Sequence, residues 1–353
     1  MQTSEIVIAG DTPGLEWRLP VIGFKGRNAK APSVYIQAAL HANELPGTAL
    51  LHFLCARLRK ADAEGAILGD ITIVPQANPI GAAQSHFGEM QGRFDLASRI
   101  NFNREYPLIP VDERDSLLEG KESLTAVNRL KRELLSMAMG ADLMLDLHCD
   151  DQSLQYAYID DAFWPEAADL AAALKMEAVF LSDGESSAFE EAVGYAWKHQ
   201  GKGAKKTALP GRLAVTVELR GRADVYPGMA SADADGLWNF LAGRGVVADP
   251  GFLAANYEGP AFALDNIEMI RAPEAGTVLF HRDIGDTVAE GDLLATIVTR
   301  PGMAEGDIEV RAPQAGLVAT RASARFARRR DDLMKIACAA PSKAVRKAGT
   351  LED

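Results

Sequence analysis

Ser33-Val-Tyr-Ile-Gln-Ala-Ala-Leu-His-Ala-Asn-Glu44 joins an apolar run to a His-x-x-Glu turn. The run Ser33–Leu40 predicts a buried strand, because parallel strands covered on both faces read as continuous apolar stretches. Pro46 then opens a helix, where its missing N–H costs nothing. Leu50, Leu51, Leu54 and Leu58 give that helix an apolar stripe at helical spacing. The alternation continues outward. Asp70–Val74 (ended by Pro75), Asp142–Leu147, Val179–Leu181 and Leu213–Leu219 read as strands. Leu124–Met139, Ala167–Leu174 and Phe189–Lys198 read as helices, with a Gly/Lys loop at Gly201–Lys206. Strands alternating with helices predict an α/β layered sheet, largely parallel.

The pattern changes after about residue 260, where short β-rich pieces with Gly/Pro turns take over. Ala272-Pro-Glu-Ala-Gly-Thr-Val278 recurs forty residues later as Ala312-Pro-Gln-Ala-Gly-Leu-Val318. Gly285-Asp-Thr-Val-Ala-Glu-Gly-Asp-Leu-Leu294 lies between them. This arrangement resembles the half-repeats of biotinyl/lipoyl-type β-sandwiches. The hairpin that carries the cofactor lysine in that fold reads Met303-Ala-Glu-Gly-Asp-Ile-Glu309 here and has no lysine. The resemblance therefore implies the fold without the swinging arm. The reading divides the chain into 1–260, a β-rich 261–340 and a small, polar tail at 341–353.

At 353 residues, with 48% hydrophobic and 24% charged side chains, the chain is an ordinary globular one. Lys plus Arg is 37 and Asp plus Glu is 49, a net charge of −12, which argues against a nucleic-acid or anionic-membrane partner. Three widely spaced cysteines, Cys55, Cys149 and Cys338, form no disulfide framework or metal knuckle and fit a reducing compartment. No apolar run is long enough to span a bilayer, and the N-terminus does not read as a signal peptide, so the expected location is cytoplasmic.

Four stretches at strand ends carry the chemistry. His41 and Glu44, three apart on a tight turn, can point at one metal ion. Asp146-Leu-His148 can add a third ligand. Two His and one carboxylate leave an open position, the catalytic zinc pattern. Glu218, in Thr216-Val-Glu-Leu-Arg220, can act as a general base. Asn101-Phe-Asn-Arg104 is the remaining stretch.

HxxE, then NR, DLH and VEL(R) in that order resemble the zinc carboxypeptidase superfamily. The closer likeness is to its succinylglutamate desuccinylase/aspartoacylase family. The spacings agree roughly: 104 residues from Glu44 to His148 and 70 from His148 to Glu218. The resemblance implies an α/β/α sandwich with a mixed central sheet and a C-terminal all-β barrel-sandwich domain. It implies one Zn2+ per chain held by His41, Glu44 and His148, with Glu218 as base for the attacking water. It implies that Asn103 and Arg104 bind the substrate carboxylate and that an upstream arginine polarises the scissile carbonyl. Arg93 is the choice for that arginine and Arg99 the alternative. Three positions depart from the family pattern: Ala42 stands where Gly is usual, and Asn101-Phe102 where Asp-Leu is usual.

The expected activity is hydrolysis of a small N-acyl amino acid. The alternatives are a metallocarboxypeptidase acting on short peptides and a non-catalytic binding protein of the same fold. The expected partner is a small carboxylate substrate, and the chain could form a homo-oligomer. Asp146 reads either as a residue that orients a ligand or as a strand-end cap. Alternation turns Cys149 away from His148, as a buried thiol. Cys55 and His52 read as structural, His86 as surface, and His199 and His281 show no partner in sequence. Arg220 reads as an ion-pair or substrate residue, and Tyr226 as a possible substrate contact. Five arginines within Arg321–Arg330 read as a solvated edge or a subunit contact.

Overall fold

The computed structural model of the chain describes residues 1–182, 186–200 and 209–344. The predicted loop at Gly201–Lys206 and the tail beyond residue 344 lie outside these. The predicted strand at 33–40 forms as Val34–Ala38, wholly buried, at the heart of a nine-stranded sheet. In chain order the strands are β1 (Gln2–Ala9), β2 (Glu16–Phe24), β3 (Val34–Ala38), β4 (Ile71–Val74), β5 (Leu143–Asp150), β6 (Gln155–Asp160), β7 (Ala178–Ser182), β8 (Leu213–Gly221) and β9 (Ala261–Ala263). Their order across the sheet is β1-β2-β4-β3-β5-β8-β6-β7-β9.

β4, β3, β5 and β8 run parallel, as the alternating pattern predicts. The sheet as a whole is mixed. β6 lies antiparallel to β8, and the β1–β2 hairpin joins β4 antiparallel. The direction of β6 has a local cause. Only residues 151–154 separate it from β5, enough to reverse the chain but far too few for a crossover to a parallel neighbour. β1, β2 and β6 were not among the predicted strands. Nor was the helix Pro227–Gly243 predicted.

The helices are α1 (Pro46–Glu64), α2 (Ala126–Met139), α3 (Ala168–Ala173), α4 (Phe189–Lys198) and α5 (Pro227–Gly243). α1 packs with α5, and α2 with α4. Strand alternation sorts the two faces. Ala38 and Leu147 meet the start of α1 at Gly47. Tyr35, of opposite parity to Ala38, meets Phe189 at the start of α4, with ring centroids 6.2 Å apart. On that second face, register rows place Gln37 beside Asp146, Asp146 beside Thr216, and Thr216 beside Tyr158. The next row sets His148 beside Glu218 and Glu218 beside Tyr156. The polar residues of four strands thus share one buried face, while the Val and Leu residues between them fill the other.

Beyond β9 the chain forms two antiparallel sheets from β10 (Ile267–Arg271), β11 (Gly276–Phe280), β12 (Thr287–Val288), β13 (Leu293–Val298), β14 (Asp307–Arg311), β15 (Gly316–Arg321), β16 (Phe326–Ala327) and β17 (Asp332–Cys338). One sheet has the order β10-β17-β15-β12 and the other β14-β13-β11-β16. The two copies of the sequence repeat lead into β11 and β15, one in each sheet. Val278, Leu294, Ile297, Val318 and Ile336 pack between them. Gln152 and Ser153, in the β5–β6 turn, pair with Arg321 and Thr320 of β15. This pairing brings the C-terminal sheets to the carboxyl end of β5. No helix among the described residues is long and apolar enough to cross a membrane.

A Cβ at Gly47 would lie 2.7 Å from the Leu147 Cβ and 3.0 Å from that of Ala38. Gly47→Val is expected to lower the unfolding free energy by about 1–3 kcal/mol, because the added atoms press on a packed strand. Urea denaturation of the variant against wild type measures it. An unchanged midpoint would mean that α1 is free to shift off the sheet.

Candidate functional site

The chain leaves β3 through Ala39, whose φ is +57°. The tight turn that follows presents His41 and Glu44 before Pro46 starts α1. Glu44 is 5% exposed and faces two imidazoles. Its Oε1 lies 2.9 Å from His41 Nδ1, and its Oε2 lies 2.7 Å from His148 Nδ1. Donor atoms of His41, Glu44 and His148 all lie within 4.8 Å of one another, which makes this buried group able to hold a metal ion. The far nitrogens are occupied. His41 Nε2 lies 2.9 Å from Asn101 Oδ1, and His148 Nε2 lies 3.0 Å from Asp146 Oδ2. A histidine that gives its Nε2 proton to such an acceptor presents a lone pair at Nδ1, the tautomer a metal ligand needs. Asp146 is fully buried and accepts a further bond from Gln37, which is itself bonded by Tyr35. The residue that could have been a strand-end cap instead orients His148.

The electrostatics follow from this packing. Burial acts to raise the Glu44 pKa, but the two imidazoles hold the carboxyl well below its ordinary value. Burial likewise opposes a charge on His148, and Asp146 and Glu44 outweigh it, holding that pKa well above the imidazole norm. His41 goes the other way, lowered by burial despite Glu44 and with Arg93 adding to the shift. Arg93 Nη1 lies 3.6 Å from Glu44 Oε1 and 3.4 Å from His41 Nδ1. Its loop comes this close because Gly92 has no side chain. A Cβ there would fall 2.5 Å from the Asn43 backbone nitrogen.

Glu218 sits beside His148 across the β5–β8 register, and its Oε2 has no hydrogen-bond partner although it is buried. Burial pushes its carboxyl up to about 8, with Glu44 and Asp150 adding to the rise while His148 and Lys335 oppose it. Asn103 Nδ2 lies 3.5 Å from His148 Nε2, and its Oδ1 accepts the Phe189 backbone N–H at 2.8 Å. Arg104 donates to the Asn103 carbonyl at 2.8 Å. His41, Glu44, His148, Arg93, Asn103, Arg104 and Glu218 all line one cavity. Arg99 is exposed and does not line it.

Residues 30–244 match the succinylglutamate desuccinylase/aspartoacylase catalytic domain. The chain belongs to the succinylglutamate desuccinylase/aspartoacylase family. It is 26% identical over 311 residues to N-alpha-acetyl-L-2,4-diaminobutyric acid deacetylase of Halomonas elongata, covering 84% of this chain and 79% of that protein. A Shewanella amazonensis structure assigned to the same family superposes with a TM-score of 0.84 at 27% identity, covering 96% of this chain and 98% of that one. An ectoine utilization protein of Ruegeria pomeroyi, in its product-bound structure, shares the fold at a TM-score of 0.69 and 20% identity, covering 95% and 93% of the two chains.

Several further residues find their places in this family member. Arg220 has φ +57° at a register shift after Glu218 and pairs with Asp233 of α5, so it serves as an internal ion pair rather than a cavity residue. Tyr226 is exposed and lines no part of the cavity. Cys149 is a buried free thiol whose pKa burial raises; its backbone N–H points at Glu44 Oε2, 3.3 Å away. Arg321 pairs with Asp283, while Arg328, Arg329 and Arg330 are exposed. Lys335 was missed by the sequence reading. It comes from β17, is 6% exposed, binds Asp150 Oδ2 at 2.7 Å and lines the cavity. No spacing signal could reveal it, since it arrives from another sheet. Thr216 and Glu190 also line the cavity. The Thr216-x-Glu218 alternation on a buried strand was the available signal for the first.

The raised Glu218 pKa carries a stability consequence for metal-free protein. The folded state holds this proton up to about pH 8, whereas the unfolded chain releases it near 4.5. The folded state therefore binds more protons between these values, and stability falls as pH rises through that window. Denaturation of chelator-treated protein at pH 5 and pH 8 should show a smaller fall for Glu218→Gln than for wild type. Parallel curves would mean that Glu218 ionises normally.

Proposed function

We propose that this protein is a zinc-dependent hydrolase that removes the acyl group from a small N-acyl amino acid. The observation that carries the reading is the meeting of the His41, Glu44 and His148 donors beside an unpartnered Glu218 carboxyl oxygen in one cavity. The donor set suits the ion: two imidazoles and one carboxylate, with both far nitrogens anchored. When bound, zinc supplies a Lewis acid that acidifies water and polarises an acyl carbonyl.

This chain's own residues do the rest. Glu218, poised near neutrality by burial, takes the proton of the attacking water and hands it to the departing amine. Arg93 faces the negative charge that develops on the acyl oxygen. Arg104 receives the amino-acid carboxylate, and Asn103 adds an amide donor while bracing α4 through Phe189. The products are a carboxylic acid and an amino acid.

The C-terminal residues Leu264 and Lys335 help wall the cavity, which favours a small substrate over a peptide. The carboxypeptidase reading, which needs a wider cleft, is correspondingly weaker. A non-catalytic binding protein has no use for a poised carboxyl beside the metal group. We also read 1–260 as the catalytic domain, 261–340 as a barrel-sandwich of the biotinyl/lipoyl type, and 341–353 as a tail. The free thiols fit a cytoplasmic protein. The reading involves no nucleic-acid or membrane partner.

Zinc-loaded protein should release free amine from N-acyl amino acids, lose this activity on chelation and regain it with added zinc. Glu218→Gln should lower kcat by about 10²–10⁴-fold. A variant as fast as wild type on an identified substrate would overturn the assignment of the base. Asp146→Ala should release the ion about 10–100-fold more readily, measured by competition with a chromogenic chelator. Unchanged retention would mean that His148 does not depend on Asp146 for its orientation.

A further inference from the structure

The cavity that Arg104 lines is also lined by the first turn of α4 and the middle of β8. Among the described residues, three of the buried side-chain oxygens without a hydrogen-bond partner line this one cavity: Glu218 Oε2, Thr216 Oγ1 and Glu190 Oε2. The first belongs to the site above. The other two form a recess. Thr216 is 4% exposed and stands two residues before Glu218 on the same face of β8, a step of about 7 Å along the strand. Burial, with Asp146 adding to it, raises the Glu190 pKa, so the recess as it stands disfavours a charge there; Arg104 and the Thr216 hydroxyl oppose that rise, the hydroxyl without reaching hydrogen-bonding geometry. Buried polar atoms are nearly always paired, so a pair left open at one cavity wall marks a place that a ligand completes.

The charge around the recess says which ligand. Glu190 opens it, Glu191 and Asp160 line the same wall, and Asp146 lies beneath. Asp146 is already answered by His148, and burial raises the Glu191 carboxyl to about 9, which leaves Glu190 and Asp160 to the two remaining cations. Lys198 is committed to Asp160 at 2.5 Å, and Arg104 faces the Glu190 and Glu191 carboxyls from the substrate-carboxylate side. Glu191 takes the Ser186 hydroxyl. A second carboxylate placed here would meet repulsion. An apolar group would leave both oxygens stripped of water and unpaired. An ammonium group would donate to both oxygens and favour the charged form of Glu190 against the effect of burial.

We propose that the amino acid released by this enzyme carries a second, cationic amine on its side chain, received by Glu190 and Thr216. The inference rests on the deacylase reading for the words "released by" and on the recess alone for the cation. Arg104 is close enough to bias both Glu190 and Glu191, which sets the recess beside the proposed carboxylate subsite. Glu190 and Thr216 are thus specificity-determining residues, apart from the reacting atoms.

Calorimetry tests the recess with the free amino acids L-2,4-diaminobutyrate, L-norvaline and L-glutamate. Wild type should bind diaminobutyrate at least about tenfold more tightly than either of the others, the usual scale of a hydrogen bond to a charged group. Glu190→Gln should bring that ratio towards one. Thr216→Val, which keeps the buried volume, should reduce it and serves as the deciding variant if Glu190→Gln does not fold. Norvaline or glutamate binding as tightly as diaminobutyrate would overturn the inference, as would an unchanged ratio in the folded variants. The Nα-acetyl derivatives of the same three amino acids, offered to zinc-loaded enzyme, separate the two readings. Similar kcat/KM on all three sinks the cationic recess and leaves the deacylase standing. Preferential binding of diaminobutyrate with no hydrolysis of any acyl derivative sinks the deacylase and leaves the recess standing.

Discussion

One buried carboxylate shared between two imidazoles sets the terms for everything around it. Glu44 can be charged inside the protein only because His41 and His148 each take one of its oxygens. A charge so far from water costs several kcal/mol unless its partners are held in place. Holding them requires further polar groups: Asn101 on one imidazole, Asp146 on the other, then Gln37 on Asp146 and Tyr35 on Gln37. A partly satisfied network of this kind would be worse than an apolar core. Three neighbouring elements, β3, the turn after it and β5, must therefore keep their register together. A one-residue slip of β5 would turn Asp146 and His148 to the α1 face and Leu145 and Leu147 into the cavity.

This constraint explains what was legible in the sequence. His41, Glu44, His148 and Glu218 sit on short motifs at strand ends, where apolar runs break into polar ones, and each run was long enough to recognise. Asn101–Arg104, expected at a strand end as well, lies instead with Arg93 in the long connection between β4 and β5. Glu218 was legible for the same reason, as a lone acid in a run of Val and Leu. The antiparallel placement of β6 was not legible. It depends on a four-residue connection and on which neighbour is free, and neither shows in the strand's own pattern. The β1–β2 hairpin escaped notice because β1 is largely exposed and Pro20, a residue disfavoured in strands, interrupts β2. Asn101 is instructive in another way. It stands out in the sequence as a departure from a family pattern that has Asp there. In the fold its amide oxygen faces His41 Nε2, a position a carboxylate oxygen would otherwise take, so the departure removes a charge beside an imidazole and keeps the contact.

The overall charge of −12 was a poor guide to the cavity. Arg93, Arg104 and Lys335 stand on its walls together with Glu218, Glu190 and Glu191. Charges of both signs are interleaved there: Arg93 and Glu218 stand beside the metal-binding group, and Arg104 faces Glu190 and Glu191. Net charge reports on solubility and on large charged partners, and says little about such local order.

Lys335 bears on how far the C-terminal sheets can be treated as a separable part. Its ammonium reaches Asp150 from a strand 185 residues along the chain and lies among the groups that bias Glu218. A domain that only covered the cavity could be exchanged for another of similar shape. This one completes the charge arrangement behind the proposed base. A chimera with a foreign C-terminal sheet would therefore inherit a catalytic half with Asp150 uncompensated. The boundary between the two halves is then a boundary of chain topology and not of chemistry.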